Sequence, residues 1–250
     1  MMKLRFASPE YVIDINNISG LSHIREEQGV VKIGALTREA EIEHSTLLRQ
    51  HFPIFADVSK LIADPQVRNR GTIGGNLAHG DAANDHPAVM LALDATVIAT
   101  GPGGVRSIPI DAFFFGFYQT ALEHDEILTE IQIPVPPKGT GSAYHKLERK
   151  VGDYAIAGVA VQLMVDGKGI CTAAGIGLTN VNPLPLRATR SQEALTGRPL
   201  TDETIGLAAQ YASEDCRPSA DLRGSEEYKR AMVAVLIKRM IRKAMERIEK

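Results

Sequence analysis

The chain has 250 residues, of which 44% are hydrophobic and 23% are charged, a composition typical of a folded protein with a substantial core. Its formal net charge of -2 excludes the basic field that a nucleic-acid-binding protein needs. No apolar run approaches the ~18–20 residues of a membrane span, because the best candidate, "VMLALDATVIAT", is short and interrupted by Asp94.

The N-terminal string "MMKLRFASPEY" lacks the apolar core of a secretory signal. Cys171 and Cys216 are far apart and belong to no CxxC motif. They therefore cannot supply the four ligands of an iron–sulfur cluster or a structural zinc ion. We expect a cytoplasmic protein that forms one large domain or two modest ones.

The first half of the chain predicts short strands and helices. The strings "EYVIDI" and "VVKIGAL" are predicted strands, and "LTREAEIEHSTLLRQHF" is a predicted helix with Thr37 as its N-cap. The apolar stripe of that helix carries Ile42, Leu47 and Leu48. A second helix covers "IFADVSKLIA" and stops at Pro65. After a glycine-rich segment, "PAVMLALDA" begins as a helix with proline at its N-terminus and leads into the strand "TVIAT".

A proline-rich segment divides the chain. Residues Ile133 to Ser142, "IPVPPKGTGS", carry three prolines and two glycines, which neither a helix nor a central strand tolerates. We therefore predict one domain over residues 1–135 and a second over residues 141–250. In the second, "YAIAGVAVQLMVDGKGICTAAGIGLTN" predicts two strands joined by an Asp-Gly turn. The strings "SQEALTGRPL" and "TDETIGLAAQYASE" predict short capped helices.

The last segment, "SEEYKRAMVAVLIKRMIRKAMERIEK", predicts a long amphipathic helix. We expect its apolar side to pack in the core or against another subunit. The elements together predict an α+β fold, in which a small antiparallel sheet of the C-terminal domain packs against helices. The apolar side of the last helix comprises Tyr228, Met232, Leu236, Met240, Ala244 and Ile248, with Val235 and Ile241 beside them.

The segment from Arg68 to Pro87, "RNRGTIGGNLAHGDAANDHP", contains few large side chains. A phosphate site needs backbone N–H groups that converge on one point, and Gly74 and Gly75 would permit the positive φ that such a loop requires. Thr72 and Asn76 would add side-chain hydrogen bonds. The alternative is a turn that joins a helix to a strand. The segment matches neither the P-loop pattern GxxxxGK[ST] nor the dinucleotide pattern GxGxxG.

A metal site is a second hypothesis for the same segment. His79, Asp81, Asp85 and His86 form the pattern H-x-D-x3-D-H, which holds enough nitrogen and oxygen donors for a divalent ion. Gly80 and the neighbouring alanines indicate a loop, so nothing fixes the four side chains on one helix face. A serine hydrolase is unsupported, because no GxSxG motif occurs.

Three longer strings carry a resemblance to a known family. The string "IADPQVRNRGTIGGNLAHGDAANDHPAVMLALDA" resembles the second flavin loop of the FAD-binding medium subunit of molybdenum hydroxylases. That family includes carbon monoxide dehydrogenase medium chains and the flavin domain of xanthine dehydrogenase. The string "YHKLERKVGDYAIAGVAV" is similar to the family's Lys-x3-Arg…Asp-Tyr-x-x-Ala segment, and "DLRGSEEYKRAMVAVLIKR" to its C-terminal helix. The resemblance covers nearly the whole chain and implies an N-terminal flavin-binding lobe.

The resemblance implies a set of FAD-binding residues, and no catalytic or metal-binding residue. A lysine near the isoalloxazine would stabilise negative charge on a reduced flavin, and an aromatic ring would offer a stacking face. Without the resemblance, the same two residues would be interpreted as a surface lysine and a core tyrosine. The implied contacts are Thr72, Ile73, Gly74, Gly75 and Asn76 with the pyrophosphate and ribitol, Asp85 with a hydroxyl or water, Leu128 with the adenine, and Lys146 and Tyr154 with the isoalloxazine.

The sequence departs from the family pattern at its start. Family members carry a first flavin loop of the Gly-Gly-x-Ser/Thr type ahead of the part that resembles "MKLRFASPEYVIDI", and no such segment precedes that string here. We therefore expect half of the pyrophosphate cradle to be absent and FAD binding by this chain to be weak or absent. Apolar surface left uncovered in this lobe would favour self-association.

The resemblance implies an oxidoreductase subunit whose FAD receives electrons from iron–sulfur clusters and passes them to NAD, a quinone or oxygen. The implied partners are a molybdopterin-containing large subunit and a two-iron–two-sulfur small subunit. One alternative is a scaffold subunit that keeps the partner surface without the cofactor. Another is a stand-alone flavin reductase or oxidase. The oxidised substrate is a property of the large subunit in this family.

Overall fold

The computed structural model describes residues 2–248. Helices and strands are both abundant and the named sheets are antiparallel, which confirms the predicted α+β class. The strands are β1 (Ile24–Glu27), β2 (Val30–Gly34), β3 (Thr96–Gly101), β4 (Gly104–Pro109), β5 (Phe114–Gly116), β6 (Gln119–Thr120), β7 (Ile127–Pro134), β8 (Thr140–Leu147), β9 (Ala157–Val165), β10 (Ile170–Thr179), β11 (Leu186–Arg187) and β12 (Arg198–Pro199). The helices are α1 (Glu39–His44), α2 (Thr46–His51), α3 (Ile54–Leu61), α4 (Pro65–Arg68), α5 (Ile73–Ala78), α6 (Asp85–Ala92), α7 (Thr189–Leu195), α8 (Asp202–Asp215) and α9 (Glu226–Glu246).

The first sheet has the strand order β1-β2-β7-β3-β4 and one buried face. Val31 and Ile33 of β2 lie opposite Ile133 and Ile131 of β7, and all four side chains are fully buried. Because successive side chains of a strand point to opposite faces, these alternate residues form one apolar surface. The helices that follow β2 in the chain pack into the same core.

The second sheet has the order β11-β10-β9-β8, with β12 paired to the far end of β10. Helices α7 and α9 contact the second sheet and α8 packs on both of them, so that these helices and β9 form a second apolar core. The face of the sheet opposite these helices contacts α6, a helix of the first half of the chain. Strand β9 is accordingly buried along most of its length, as expected for a strand covered on both faces.

An ion cluster joins the two halves around Asp57 of α3. Arg247, which follows α9, donates to both carboxylate oxygens of Asp57 at 2.7 and 2.9 Å, and Lys243 of α9 donates at 2.8 Å. The backbone N–H of Tyr144 in β8 also donates to this carboxylate, at 3.1 Å. Burial raises the pKa of Asp57, but the hydrogen bonds from Arg247 and Lys243 outweigh burial, so that the pKa lies below its usual value.

We expect the substitution Asp57→Asn to lower the free energy of unfolding by about 2–3 kcal/mol at pH 7, because it leaves two cations without their carboxylate. A carboxylate with a lowered pKa stabilises the fold above its unfolded-state pKa, and that contribution is lost as the pH falls through the folded-state pKa. The difference between wild type and variant in urea unfolding should therefore shrink below about pH 4.

The matched control for this prediction is Asp202→Asn. Asp202 also pairs with an arginine of α9, Arg242, but its side chain is 88% exposed. An exposed pair of this kind contributes about 0–1 kcal/mol, so the control should change stability little at any pH. Equal effects of the two substitutions would show that the Asp57 cluster does not join the two halves.

Several predicted elements are confirmed. Strand β2, helix α3, strand β3 and the β9–β10 hairpin lie where the sequence patterns predict them. The carboxylate of Asp166 in the hairpin turn accepts from the backbone N–H groups of Lys168 and Ile170, both at 2.9 Å. No helix within residues 2–248 is long and apolar enough to cross a membrane.

Two predictions in the first half are wrong. The string "EYVIDI" forms no strand, and its Tyr11, Val12 and Ile13 are exposed, because an extended segment is stable as a strand only when another strand pairs with it. The single helix predicted after β2 is divided into α1 and α2 at Ser45, whose hydroxyl caps α2 by accepting from the Leu48 N–H. Thr37 is not the N-cap of α1.

Thr37 instead joins two segments. Its hydroxyl accepts from the backbone N–H of His23 at 3.1 Å and donates to the His23 carbonyl at 3.0 Å. The residue at the N-cap position of α1 is Arg38, which makes no side-chain cap hydrogen bond. The Thr37 hydroxyl, which the sequence pattern predicted to cap α1, is therefore hydrogen-bonded to the backbone of His23 instead.

Helix α9 confirms the predicted amphipathic helix over most of its length, and residues 249 and 250 of the prediction lie outside the described residues. The buried stripe differs from the predicted one. Tyr228 and Val235 are 43% and 36% exposed, whereas Val233 and Ile237 are fully buried. A stripe spaced strictly four apart drifts around a helix of 3.6 residues per turn, so the buried face passes to neighbouring residues.

Candidate functional site

The glycine-rich segment forms helix α5 rather than a loop. Thr72 is its N-cap and accepts from the backbone N–H of Gly75 at 3.1 Å. Gly74 and Gly75 both lie within the helix, and neither has a positive φ. The expectation that these glycines serve a left-handed turn is therefore wrong, and their small size must have another cause.

Gly74 allows α5 to lie against the end of β2. A Cβ atom at this position would be 2.5 Å from the Cβ of Ala35 and 2.6 Å from its carbonyl oxygen. The Gly74 N–H donates to that same carbonyl at 2.9 Å. A Cβ atom on Gly75 would instead meet only the Thr72 hydroxyl, at 2.9 Å. Gly74 is thus required for packing, whereas Gly75 faces open space beyond Thr72.

The backbone N–H groups at the start of α5 are already used within the protein. Ile73 donates to the carbonyl of Thr37 at 3.2 Å, and Asn76 donates to that of Thr72 at 3.0 Å. Those of Gly74 and Gly75 donate to Ala35 and Thr72, respectively. The sequence pattern suggested free amides that converge on a phosphate, and the structure has these amides engaged internally.

A cavity of about 600 Å³ opens beside α5. Its walls come from α5, the end of β2, the start of α1 and the start of β7. Five of the residues implied by the family resemblance line it: Thr72, Gly74, Gly75, Asn76 and Leu128. The lining includes apolar residues such as Ile127 and Leu128 and polar ones such as Thr72 and Asn76. The cavity therefore offers both apolar surface and hydrogen-bonding groups to a ligand.

A second cavity of about 210 Å³ lies between the two halves of the chain. Asp85, Lys146 and Tyr154 line it, together with Asn76. The two cavities share the residues Ile62, Val67, Asn76 and Asn84. The structure thus brings every implied residue except Ile73 to one of two adjacent cavities. Ile73 lines neither of them, because its side chain is fully buried in the first core.

Asn76 stands where the two cavities meet. Its side-chain Oδ1 is buried and has no hydrogen-bond partner within the described residues. Asn84 donates through Nδ2 to the backbone carbonyl of Asn76 at 2.8 Å and so fixes this residue in place. A buried polar atom without a partner costs stability unless a ligand or water meets it. Asn76 Oδ1 is thus an acceptor that a ligand or a water at the cavities could use.

A buried charge cluster forms the wall of the smaller cavity. Lys146 Nζ donates to Asp85 Oδ2 at 2.9 Å, and the hydroxyl of Tyr144 donates to Asp85 Oδ1. Lys146 and Tyr144 are two residues apart on β8 and so point to the same side of the strand. Burial raises the pKa of Asp85 and outweighs the attraction of the Lys146 ammonium. Burial and the adjacent Asp85 raise the pKa of Tyr144 well above its usual value.

A second buried pair lies behind this cluster. His86 Nε2 lies 2.8 Å from Glu39 Oε2, and both side chains are almost completely buried. Burial lowers the pKa of His86, but the Glu39 carboxylate raises it more, so the net shift is upward. His86 Nδ1 has no hydrogen-bond partner within residues 2–248. The pair links α1 to α6 and holds the N-terminus of α6, where Asp85 lies.

Tyr154 forms the outer edge of the smaller cavity and is 46% exposed. The guanidinium of Arg223 lies 5.9 Å from the centre of its ring. Asp153 accepts from Arg223 at 3.1 Å and from the Tyr154 N–H at 2.9 Å. The tyrosine ring is therefore held in place while one face stays open, which suits stacking on a planar ligand.

The four residues of the metal hypothesis do not converge on one point. The His86 ring contacts Glu39 and Asp85 contacts Lys146, whereas His79 and Asp81 both contact Tyr118. Among the described residues, no three His, Cys, Asp or Glu side chains form a group able to hold a metal ion. The H-x-D-x3-D-H spacing therefore does not bring these four side chains together as metal ligands.

Sequence reasoning missed several residues of the site. Tyr144 lies two residues before Lys146, and the two-residue period of a strand could have identified it. Asn84 could not be found in this way, because its role depends on the contact with Asn76. Arg38 and Arg70, which line the larger cavity, carried no recognisable motif.

Comparison with known proteins gives consistent results over the whole chain. Residues 1–136 match the family model "FAD binding domain in molybdopterin dehydrogenase", and residues 142–244 match "CO dehydrogenase flavoprotein C-terminal domain". The carbon monoxide dehydrogenase medium chain of Hydrogenophaga pseudoflava is 47% identical over 99% of this chain and 86% of its own length. That of Afipia carboxidovorans is 44% identical over 99% of this chain and 85% of its own.

Solved structures show the same relationship. Carbon monoxide dehydrogenase from Hydrogenophaga pseudoflava, in a form that lacks the Mo-pyranopterin moiety, superposes with a TM-score of 0.97 at 48% identity over 100% of this chain and 86% of that chain. Quinoline 2-oxidoreductase from Pseudomonas putida 86 superposes with a TM-score of 0.91 at 32% identity, over 98% of this chain and 85% of that chain. The chain therefore belongs to the family of FAD-binding medium subunits of molybdenum hydroxylases, which includes the carbon monoxide dehydrogenase medium chains.

Proposed function

We propose that this chain holds FAD across its two adjacent cavities and relays electrons within a molybdenum hydroxylase complex. The observation that carries this proposal is Asn76, which lines both cavities and has a buried side-chain oxygen without a hydrogen-bond partner within residues 2–248. FAD is an elongated cofactor with a planar ring system at each end and a polar chain between them. Two adjacent cavities that share polar residues suit such a molecule.

The larger cavity would take the adenosine and diphosphate part. Leu128 offers an apolar surface for the adenine, while Thr72 and Asn76 offer a hydroxyl and an amide for the polar chain. Gly75 leaves room beside Thr72 for close approach of the ligand. Gly74 and Ile73 support the site from behind, because one packs on Ala35 and the other in the core.

The smaller cavity would take the isoalloxazine. When bound, FAD accepts and donates electrons one or two at a time, which links iron–sulfur clusters to a final acceptor. The Lys146 ammonium places positive charge at this wall, and a buried ammonium stabilises negative charge strongly. Asp85 holds that ammonium in place, and Tyr154 covers one face of the cavity. The cavity walls come from both halves of the chain.

The partners of this proposal are a molybdopterin-containing large subunit and a two-iron–two-sulfur small subunit. Substrate oxidation would occur on the large subunit, as the family resemblance implies. The two cysteines of this chain are buried and too few to hold an iron–sulfur cluster. The proposal also includes two domains, over residues 1–135 and 141–250, and a cytoplasmic location. Self-association remains a prediction from the sequence.

The test is a titration of the purified protein with FAD, followed by quenching of flavin fluorescence. We expect Asn76→Ala to weaken FAD binding by roughly tenfold, because the variant removes the polar group at the cavity junction. The control is Asn182→Ala, which lies in the turn after β10 and lines neither cavity. Equal affinity of the Asn76 variant and wild type would contradict the proposed path of the cofactor.

The same titration measures the strength of FAD binding. Protein that purifies yellow with one FAD per chain would support the proposed function. Wild-type protein that fails to bind FAD, both alone and with the two partner subunits, would favour the scaffold alternative.

A further inference from the structure

Two carboxyl groups line the smaller cavity, and their partners differ. Asp153 accepts from the guanidinium of Arg223 at 3.1 Å, and this hydrogen bond holds the pKa of Asp153 below its usual value. Asp85 is almost completely buried, and burial raises its pKa although Lys146 donates to it at 2.9 Å. Near neutral pH, Asp153 therefore stays ionised, and Asp85 is the acid of this cavity that is suited to carry a proton.

The side chains around Asp85 hold its two oxygens separately. The Tyr144 hydroxyl donates to Oδ1, and the Lys146 ammonium donates to Oδ2. Burial raises the pKa of Tyr144 well above its usual value, so this hydroxyl keeps its proton. Lys146 is thus the neighbour that can exchange a proton with Asp85. The titratable groups facing Asp85 are Tyr144 and Lys146 of β8, His86 of α6 with its partner Glu39, and Tyr154 at the cavity edge.

Glu148 continues this row towards the surface. It follows β8 directly and lies two residues after Lys146, so both side chains point to the same side of the chain. Glu148 Oε2 is buried, has no hydrogen-bond partner within residues 2–248, and lies 3.6 Å from Lys146 Nζ. The glutamate side chain as a whole is 15% exposed, so part of it meets solvent. A small rotation of the flexible lysine stem brings the ammonium into hydrogen-bond contact with this oxygen.

The proposed function requires a route for protons as well as for electrons. Iron–sulfur clusters transfer electrons and bring no protons with them. Two electrons and one proton together convert FAD to FADH⁻, so the proton must reach the flavin separately, from solvent. A row of buried ionisable groups is costly to fold, and the row from Glu148 to Asp85 leads from the surface to the cavity proposed for the isoalloxazine.

We propose that Glu148, Lys146 and Asp85 form a proton relay from solvent to the isoalloxazine of FAD. The inference rests on the proposed function for the identity of the ligand. The Asp85 carboxyl gives its proton to the flavin, the Lys146 ammonium reprotonates Asp85, and the Glu148 carboxyl reprotonates the lysine amine. Glu148 then takes a proton from water, so one proton enters the row for each proton that the flavin binds. Tyr144 keeps Asp85 Oδ2 directed at the lysine by holding Oδ1.

The experiment compares wild type and Glu148→Gln, both saturated with FAD, in rapid mixing with two reductants. Reduced methyl viologen supplies electrons without protons, whereas N-benzyl-dihydronicotinamide supplies a hydride, which converts FAD to FADH⁻ without a relay. We expect methyl viologen to reduce Glu148→Gln roughly tenfold more slowly than wild type, less than the roughly 10²–10⁴-fold effect of a direct proton donor because water partly replaces the carboxyl. A pH-indicator dye should show proton uptake slowed by the same factor. The hydride donor should reduce both proteins at the same rate.

The charge that Glu148→Gln removes cannot explain a slower reduction. Loss of a negative charge near the flavin makes the flavin easier to reduce, which would raise the rate. Glu148→Asp, which keeps the carboxyl group, should recover part of the lost rate. The matched control is Glu193→Gln, at an exposed position of α7 that lines neither cavity, and it should behave as wild type with both reductants.

Two results would overturn the relay and leave the proposed function in place. In the first, methyl viologen reduces Glu148→Gln as fast as wild type. In the second, both reductants are slowed equally, which would mean that the substitution disturbs the flavin rather than its proton supply. Wild type that binds no FAD in the preceding titration overturns the proposed function and the relay with it.

Discussion

Replacing Gly177 with alanine is expected to lower the free energy of unfolding by about 3 kcal/mol or more. Gly177 lies in β10, on the face that contacts α6. A Cβ atom at this position would overlap the carbonyl oxygen of Ala88, which belongs to the backbone of α6. Gly175, two residues earlier on the same face, has the same relation to the carbonyl of Ala92. The contact is therefore between two backbones, and no side-chain rotation can relieve it.

The substitution Gly177→Ala would also disturb the candidate FAD site, because Asp85 lies in the first turn of α6. Moving α6 away from β10 would separate Asp85 from Lys146 on β8, which belongs to the same sheet. We therefore expect Gly177→Ala to weaken FAD binding as well as stability. The two halves of the chain meet where glycine allows helix and sheet to approach closely, and the smaller cavity depends on that approach.

Urea unfolding followed by circular dichroism measures the effect. The control is Gly206→Ala in α8, where an added Cβ would meet nothing within 4 Å. Alanine is a better helix former than glycine, so this control should raise stability by about 0.5–1 kcal/mol. A loss of less than about 1 kcal/mol in Gly177→Ala would contradict the close packing of α6 on β10.

Local signals predicted the elements of the second half well. Thr201 caps α8 with a reciprocal pair of hydrogen bonds to Thr204, and Ser225 caps α9 by accepting from the Tyr228 N–H. The β9–β10 turn is closed by Asp166. Each of these structures is decided by residues within a few positions of one another, so the sequence pattern contains nearly all the information.

The first half was harder to predict, since its structure depends on distant contacts. Thr37 bonds to His23 rather than capping α1, and Ser45 interrupts a pattern that looked like one helix. Gly74 and Gly75 suggested a turn, but the decisive feature is the approach of α5 to Ala35. A glycine required for tertiary packing and a glycine required for a turn look the same in a single sequence.

The residues of the candidate site were predicted mainly from the family resemblance, and little from the chemical properties of the residues alone. Asp85 and Lys146 are 61 positions apart, and no sequence rule joins them. Tyr144 completes their cluster and was missed, although its spacing from Lys146 follows the strand period. Arg38 and Arg70 are 32 positions apart and meet only through a side chain that reaches a backbone carbonyl. Such pairs become visible only when the fold is known.

Replacing Lys146 with methionine should also lower the free energy of unfolding by a large amount. The substitution removes the ammonium that lies 2.9 Å from Asp85 and leaves that carboxylate buried beside Tyr144. Removing one member of a buried ion pair costs about 3–5 kcal/mol. Methionine fills a similar volume, so the loss reflects the charge rather than a cavity. We expect a loss of this size at pH 8, together with weaker FAD binding.

The pH dependence of the stability of Lys146→Met identifies the cause of its loss of stability. Burial already raises the pKa of Asp85, and removal of the ammonium raises it further. A carboxyl whose folded-state pKa lies above its unfolded-state pKa favours folding at low pH, and this contribution is lost as the pH rises through the folded-state pKa. The Lys146→Met variant should therefore regain stability relative to wild type as the pH is lowered from 8 towards 5.

Two further variants make the test decisive. The double variant Lys146→Met with Asp85→Asn removes both charges, keeps an acceptor for the Tyr144 hydroxyl, and should recover much of the lost stability without a pH dependence. Lys238→Met, at an exposed position of α9, should change little. A double variant as unstable as Lys146→Met alone would mean that the lysine stabilises the fold by packing. Recovery of stability in the double variant would assign the loss in Lys146→Met to the unpaired Asp85 carboxylate.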